Sequence, residues 1–248
     1  MLQVIRLTFA LTFFLMNIPS SSLAQLKVEF PSKDGLLISA DWYPVSTEMP
    51  VMLLCHQNRF SRGEYVETAL KLNKFGFNCL AIDQRTGNEV NGIMNETARR
   101  AGEKSLAVEF EDSQEDIEAA VDYLYSIHKQ KIILLGSSYS ASLALIIANR
   151  DERIKAVAAF SPGEYFADKH FVKTSIDGLN KPLFLTSSKE ESEKVTELLK
   201  DVNSRIKVQY IPKTAGDHGS KVLWSSSPEN QEYWITLMNF LDRVRDLK

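Results

Sequence analysis

Gly136-Ser137-Ser138-Tyr139-Ser140 lies between two apolar runs, residues 131–135 and 141–148. A turn that joins a buried strand to a buried helix lifts a serine hydroxyl out of the sheet and sets it at a helix N-terminus. The usual pattern there is G-x-S-x-G; here Ser140 replaces the last glycine, and a small side chain still permits close helix-to-strand packing. A serine hydroxyl attacks an acyl carbon only after a base takes its proton. Of the four histidines, His218 in Gly216-Asp217-His218-Gly219 sits on a loop after the last predicted strand, where a general base facing Ser138 belongs. His128 ends a helical pattern and is expected in solvent; His170 follows Lys169 in a connecting segment, at the surface or at a pocket rim.

A base of this kind needs a carboxylate to fix its tautomer and stabilise the imidazolium. With the order serine, acid, histidine, that carboxylate follows the strand at residues 182–186. Glu190 and Glu191 both stand there; Glu191 is narrowly preferred, and Asp217 is the third choice. Either glutamate also suits the first turn of a helix. Acyl transfer further requires donors for the oxyanion. The backbone N–H of Tyr139 is one, and the other is expected from Gln57 or Asn58, after the strand at residues 51–55. His56, at that strand's end, is placed beside the substrate as a group that holds the loop by hydrogen bonding rather than one that titrates.

The elements that must position these groups are legible in the hydrophobic pattern. Residues 26–30 and 36–42 alternate around Lys33-Asp34-Gly35, as an antiparallel hairpin does. Short apolar runs then alternate with helical periods, which predicts an α/β fold: about eight strands, mostly parallel, with helices on both faces. Ile117, Ala120, Val121 and Leu124 mark a helix over residues 114–128, and Trp234, Leu237, Met238 and Leu241 a closing helix entered through Ser227-Pro228. Between them, residues 84–113 form a long polar stretch with a short helix expected at 95–104. Its Arg85, Asn88, Asn91, Asn95, Arg99 and Arg100 are candidates to wall a substrate pocket, with Arg85 and Arg99 foremost. Asn95-Glu96-Thr97 is a formal glycosylation sequon.

The first 24 residues carry Arg6, an apolar block at residues 7–16, Pro19 and three serines, the layout of a signal peptide cut near Ala24-Gln25. Residues 25–248 then suit a single exported domain with one sizeable core. With 29 Lys and Arg against 32 Asp and Glu, and no basic block, a nucleic-acid surface is not expected. No later stretch is apolar for long enough to span a membrane. There is no metal-ligand spacing, G-x-G-x-x-G or P-loop, so no cofactor is expected. The partner implied is a small acyl substrate, with a monomer as default. Cys55 and Cys79, on neighbouring predicted strands, are read as buried thiols rather than a disulfide.

With these pieces in place the chain resembles the α/β-hydrolase superfamily, in its dienelactone-hydrolase-like and small serine esterase branch. The resemblance rests on His56-Gln57, Ser61-Arg62-Gly63-Glu64-Tyr65, Asp83-Gln84-Arg85, the serine turn, Ser161-Pro162-Gly163 and Asp217-His218-Gly219. It implies an α/β-hydrolase fold and hydrolysis of an ester, lactone, thioester or amide through an acyl-enzyme. The alternatives are a binding protein that keeps the fold without the chemistry and a serine peptidase of the same fold.

Overall fold

Alternating side chains in Leu26–Pro31 (β1) and Leu37–Tyr43 (β2) produce an antiparallel hairpin, with Leu26 opposite Trp42 and Pro31 opposite Leu37. Gly35, at φ +80, supplies the left-handed turn. This is a computed structural model, and it describes residues 25–245 and 247; the expected signal peptide at residues 1–24 lies outside them. Among the described residues no helix is long and apolar enough to cross a membrane.

Beyond the hairpin come Val51–Cys55 (β3), Val66–Lys74 (α1), Asn78–Ile82 (β4), the short pair Glu89–Val90 (β5) and Ile93–Met94 (β6), and Glu96–Glu103 (α2). Ser113–His128 (α3), Ile132–Ser137 (β7), Tyr139–Arg150 (α4), Ile154–Phe160 (β8) and Phe171–Ser175 (α5) follow. Leu183–Thr186 (β9), Ser192–Leu198 (α6), Lys207–Tyr210 (β10) and Asn230–Arg245 (α7) complete the order. The main sheet has eight strands in the order β1-β2-β4-β3-β7-β8-β9-β10, antiparallel as far as β4 and parallel beyond it.

Residues of β3 and β7 are buried on both faces, which is why positions 51–55 and 132–135 read as unbroken apolar runs. Leu53 and Leu134 pack into the core beneath α3 and α4, whereas Leu54 and Leu135 pack beneath α1 and α7. The same alternation separates the cysteines. Cys55 faces the first core and Cys79 the second, and both are free thiols.

Two local expectations differ from the structure. The closing helix begins at Asn230 rather than at Ser227-Pro228, because tight turns such as Asn230 N–H to Ser227 O occupy the approach. Helix α5 had no sequence signal: its Val172 and Lys173 amides donate to Glu164 at 2.8 Å each, a cap supplied from a preceding loop.

Candidate active site

Strand β7 passes into α4 with no intervening loop, so Ser138 bears the whole turn at φ +60, ψ −127. A non-glycine residue in such a conformation stores about 1–3 kcal/mol of strain, held by its surroundings. One restraint is the Ser138 N–H, which donates to Phe160 O at 2.8 Å. Gly136 leaves room for the crossing chain, since a Cβ there would lie 2.5 Å from Ser140 O. Ser140 is more than a small substitute for glycine. Its hydroxyl donates to His56 O at 2.6 Å and accepts from the Gln84 amide, tying the turn to the ends of β3 and β4.

The loop after β10 brings His218 to this serine: Nε2 lies 2.8 Å from Ser138 Oγ, and Nδ1 lies 2.6 Å from Glu191 Oε1. Glu191 precedes α6, at the end of the segment that follows β9. Its second oxygen accepts the hydroxyls of Ser161 (2.9 Å) and Ser188 (3.0 Å) and the Ser188 N–H (3.2 Å). Burial opposes its charge, but the hydrogen bond and charge of His218, helped by both hydroxyls, bring its carboxyl down to about 2. An ionised Glu191 at Nδ1 puts the ring proton there and leaves Nε2 free to accept the proton of Ser138. Of the other two acids considered, Glu190 is exposed. Asp217 accepts the backbone N–H of His218 and pairs with Lys221, so neither reaches the ring.

Two backbone amides are left without an acceptor among the described residues. Tyr139 opens α4, so its N–H has no acceptor within the helix. The Asn58 N–H has no hydrogen-bond partner among the described residues. Gln57 is corrected as an oxyanion donor: its N–H is committed to Glu64 Oε2 at 2.8 Å.

The three residues expected to touch substrate are also corrected. His56 is fully buried; burial pushes its imidazole down to about 4, and its neutral ring bridges Gln57 O (2.8 Å) and Gln84 N–H (3.1 Å). It holds the loop, as expected, and both its ring nitrogens are committed to protein partners. Arg85 is spent on Asp116 (2.7 Å) and Asp34 (2.9 Å) in a buried cluster, and exposed Arg99 pairs with Glu103 along α2. Asn95 of the sequon is buried as the α2 cap, accepting the Ala98 N–H at 2.7 Å, and is closed to a glycan. Helix α2 packs on β2, where Thr97 accepts the Ser39 N–H.

A cavity of about 680 Å³ opens beside Glu191, with Pro162, Tyr165, His170, Lys194 and Leu198 in its wall. A second, of about 650 Å³, shares Tyr165 and Lys169 and is bounded by Ala107, Phe110 and Phe166, so the last part of the long polar segment borders it. Tyr165 separates the two, its ring edge-on to His218 at 6.4 Å between centroids. Among the described residues no group of His, Cys, Asp and Glu is arranged to hold a metal. Sequence reasoning missed the supporting roles of Ser161, Ser188 and Tyr165. The first lay within a quoted motif, Ser161-Pro162-Gly163, directly after a strand; the others carried no local signal.

Comparison with known proteins agrees with the fold. The family described as serine aminopeptidase, S33 (Hydrolase_4) matches residues 48–210. A thiohydrolase of Arthrinium phaeospermum is 28% identical over 140 residues, 55% of this chain and 42% of its own. A polyketide transferase of Stachybotrys chlorohalonatus is 28% identical over 144 residues, 56% of this chain and 45% of its own. The matched part is thus less than half the length of either curated relative. An esterase of Pyrococcus furiosus superposes with a TM-score of 0.69 at 20% identity, covering 90% of this chain and 94% of its own. A dienelactone hydrolase of Anabaena variabilis gives 0.70 at 14% identity, covering 90% and 98%. At these identities the two structures speak for the fold alone.

Proposed function

The chain belongs to the hydrolase family described as serine aminopeptidase, S33, and we propose that it is an exported serine hydrolase acting on a small ester, lactone or related acyl substrate. The observation that carries the reading is the continuous hydrogen-bonded line from Ser138 Oγ through the His218 ring to Glu191, at 2.8 and 2.6 Å. In the first half-reaction Ser138 Oγ bonds to the acyl carbon as its proton passes to His218 Nε2. The carbonyl oxygen becomes an oxyanion held by the N–H groups of Tyr139 and Asn58. The tetrahedral adduct collapses, the acyl–heteroatom bond breaks, and His218 gives its proton to the leaving group. A water then repeats the sequence: His218 takes its proton, the acyl–serine ester is cleaved, and Ser138 is restored. Glu191 stays ionised throughout and stabilises the imidazolium.

The cavity beside Glu191 has the volume of a small-molecule site, which favours a compact acyl or leaving group over a polymer. Export rests on the signal-peptide layout of residues 1–24. Recovering the protein outside the cytoplasm with Gln25 as its first residue supports it, and full-length protein retained in the cytoplasm overturns it. For the chemistry, the test is a fluorophosphonate probe with intact-mass detection. A single adduct that disappears in Ser138→Ala is expected. A folded wild-type protein that stays unlabelled would favour the binding-protein alternative.

A further inference from the structure

Glu64 holds a buried carboxyl group the reaction does not use. It is fully buried on the turn before α1, and no cation lies within ion-pair distance among the described residues. A carboxylate in such a place is costly unless hydrogen bonds compensate it. Its two oxygens reach two different loops. Oε2 accepts the N–H of Gln57, the residue before Asn58, at 2.8 Å. Oε1 accepts the hydroxyl of Ser220, two residues after His218, at 2.6 Å. The Ser220 N–H in turn donates to the hydroxyl of Ser137, the residue before Ser138, at 2.8 Å. Gly219 packs so tightly into this junction that a Cβ would lie 2.1 Å from Gln57 Oε1 and 2.6 Å from Ser137 Oγ. The backbone of Glu64 is itself fixed, its carbonyl accepting the Trp224 indole N–H at 2.7 Å.

We infer that Glu64 is a positioning residue, a buried clamp whose carboxylate binds the Asn58 loop to the His218 loop beneath Ser138 and so keeps oxyanion donor, base and nucleophile in register. The inference rests on the serine-hydrolase reading for its effect on rate, but the clamp itself is a property of the two loops. A residue that merely fills the core would need no polar bonds to the two separate loops of Gln57 and Ser220. Glutamine can make both contacts, its carbonyl accepting from Gln57 and its amide donating to Ser220 Oγ. Alanine can make neither.

The experiment compares Glu64→Ala and Glu64→Gln with the wild-type protein by hydrogen exchange and by p-nitrophenyl acetate turnover per fluorophosphonate-titrated serine. In Glu64→Ala, exchange in peptides covering residues 56–60 and 217–221 is expected to quicken about tenfold or more while other peptides keep their rates. Its kcat falls at least about tenfold with KM nearly unchanged. Glu64→Gln restores both quantities to within about threefold of wild type, which a requirement for the charge would not allow. Wild-type exchange in both segments of Glu64→Ala, or an undiminished kcat per titrated serine, overturns the inference. If Glu64→Ala does not fold, Ser220→Ala removes one arm. Faster exchange confined to residues 217–221 with a partial loss of kcat supports the clamp, and wild-type behaviour overturns it. An unlabelled wild-type protein would defeat the serine-hydrolase reading instead, and the exchange comparison would still decide the clamp.

Discussion

Replacing Glu191 by glutamine removes a charge and leaves the shape. The carboxylate and the imidazolium formed in the transition state have their charges about 4 Å apart, worth about 4 kcal/mol at the effective dielectric of a protein surface. That corresponds to about 10³ in rate. Partial exposure of the two side chains, 29% and 37%, screens part of it. A second effect acts in the same direction. The Ser188 N–H and two serine hydroxyls point at Oε2, so glutamine is driven to keep its carbonyl there and turn its NH₂ toward His218. Nδ1 must then accept, the ring proton moves to Nε2, and the acceptor facing Ser138 is lost. We expect Glu191→Gln to lower kcat on p-nitrophenyl acetate about 10³-fold with KM changed less than about threefold, and Glu190→Gln to stay within about twofold of wild type. A loss below about tenfold in Glu191→Gln, with circular dichroism unchanged, refutes the reasoning, as does an equal loss in Glu190→Gln.

Burial is the main reason the Glu64 carboxyl rises to about 7, against the opposing bonds of Ser220 and Gln57 and the charge of His218; Tyr65 and Cys55 are its other titratable neighbours. A raised folded value means that stability is kept in full below the unfolded value near 4.5 and lost as pH rises through 7. Thermal melts should therefore show wild type losing ground to Glu64→Gln between pH 4.5 and 7.5, and a constant difference would contradict the assignment. Gly219→Ala adds a Cβ at φ +78 against Gln57 and Ser137, costing about 2–4 kcal/mol in urea unfolding. Gly178→Ala, at φ +80 with open space around it, should cost only the strain of about 1–2 kcal/mol. Arg85→Ala strands buried Asp116 and should cost about 3–5 kcal/mol, whereas exposed Arg99→Ala should change stability by less than about 0.5 kcal/mol. Equal effects would mean that the Asp116 pair is not the reason Arg85 is buried. Ser140→Gly, which restores the common glycine pattern, forfeits the bonds to His56 and Gln84 and should destabilise by about 2–3 kcal/mol in the same assay.

Residue periodicity determined the architecture, because side chains of residues 51–55 and 132–135 are buried on two faces and must be apolar throughout. Chain order and local chemistry were also enough to bring forward Ser138, His218 and the acids Glu191, Glu190 and Asp217 as candidates, since a strand-to-helix serine and a late loop histidine are both local features. The choice between the two glutamates was not local. It depends on hydroxyls from Ser161 and Ser188 that only the packed sheet brings to one oxygen. The same holds for Arg85 and His56, whose polar side chains suggested a ligand until folding gave them Asp116 and the Gln84 amide as partners. Glu64 stood within the Ser61-Arg62-Gly63-Glu64-Tyr65 motif with no role of its own, and its burial against Gln57 and Ser220 joins positions 156 residues apart. Sequence thus settled which residue types stand at the strand ends. Tertiary structure decided which of their donors and acceptors were left uncommitted, because hydrogen-bond satisfaction in a buried site is set by neighbours in space.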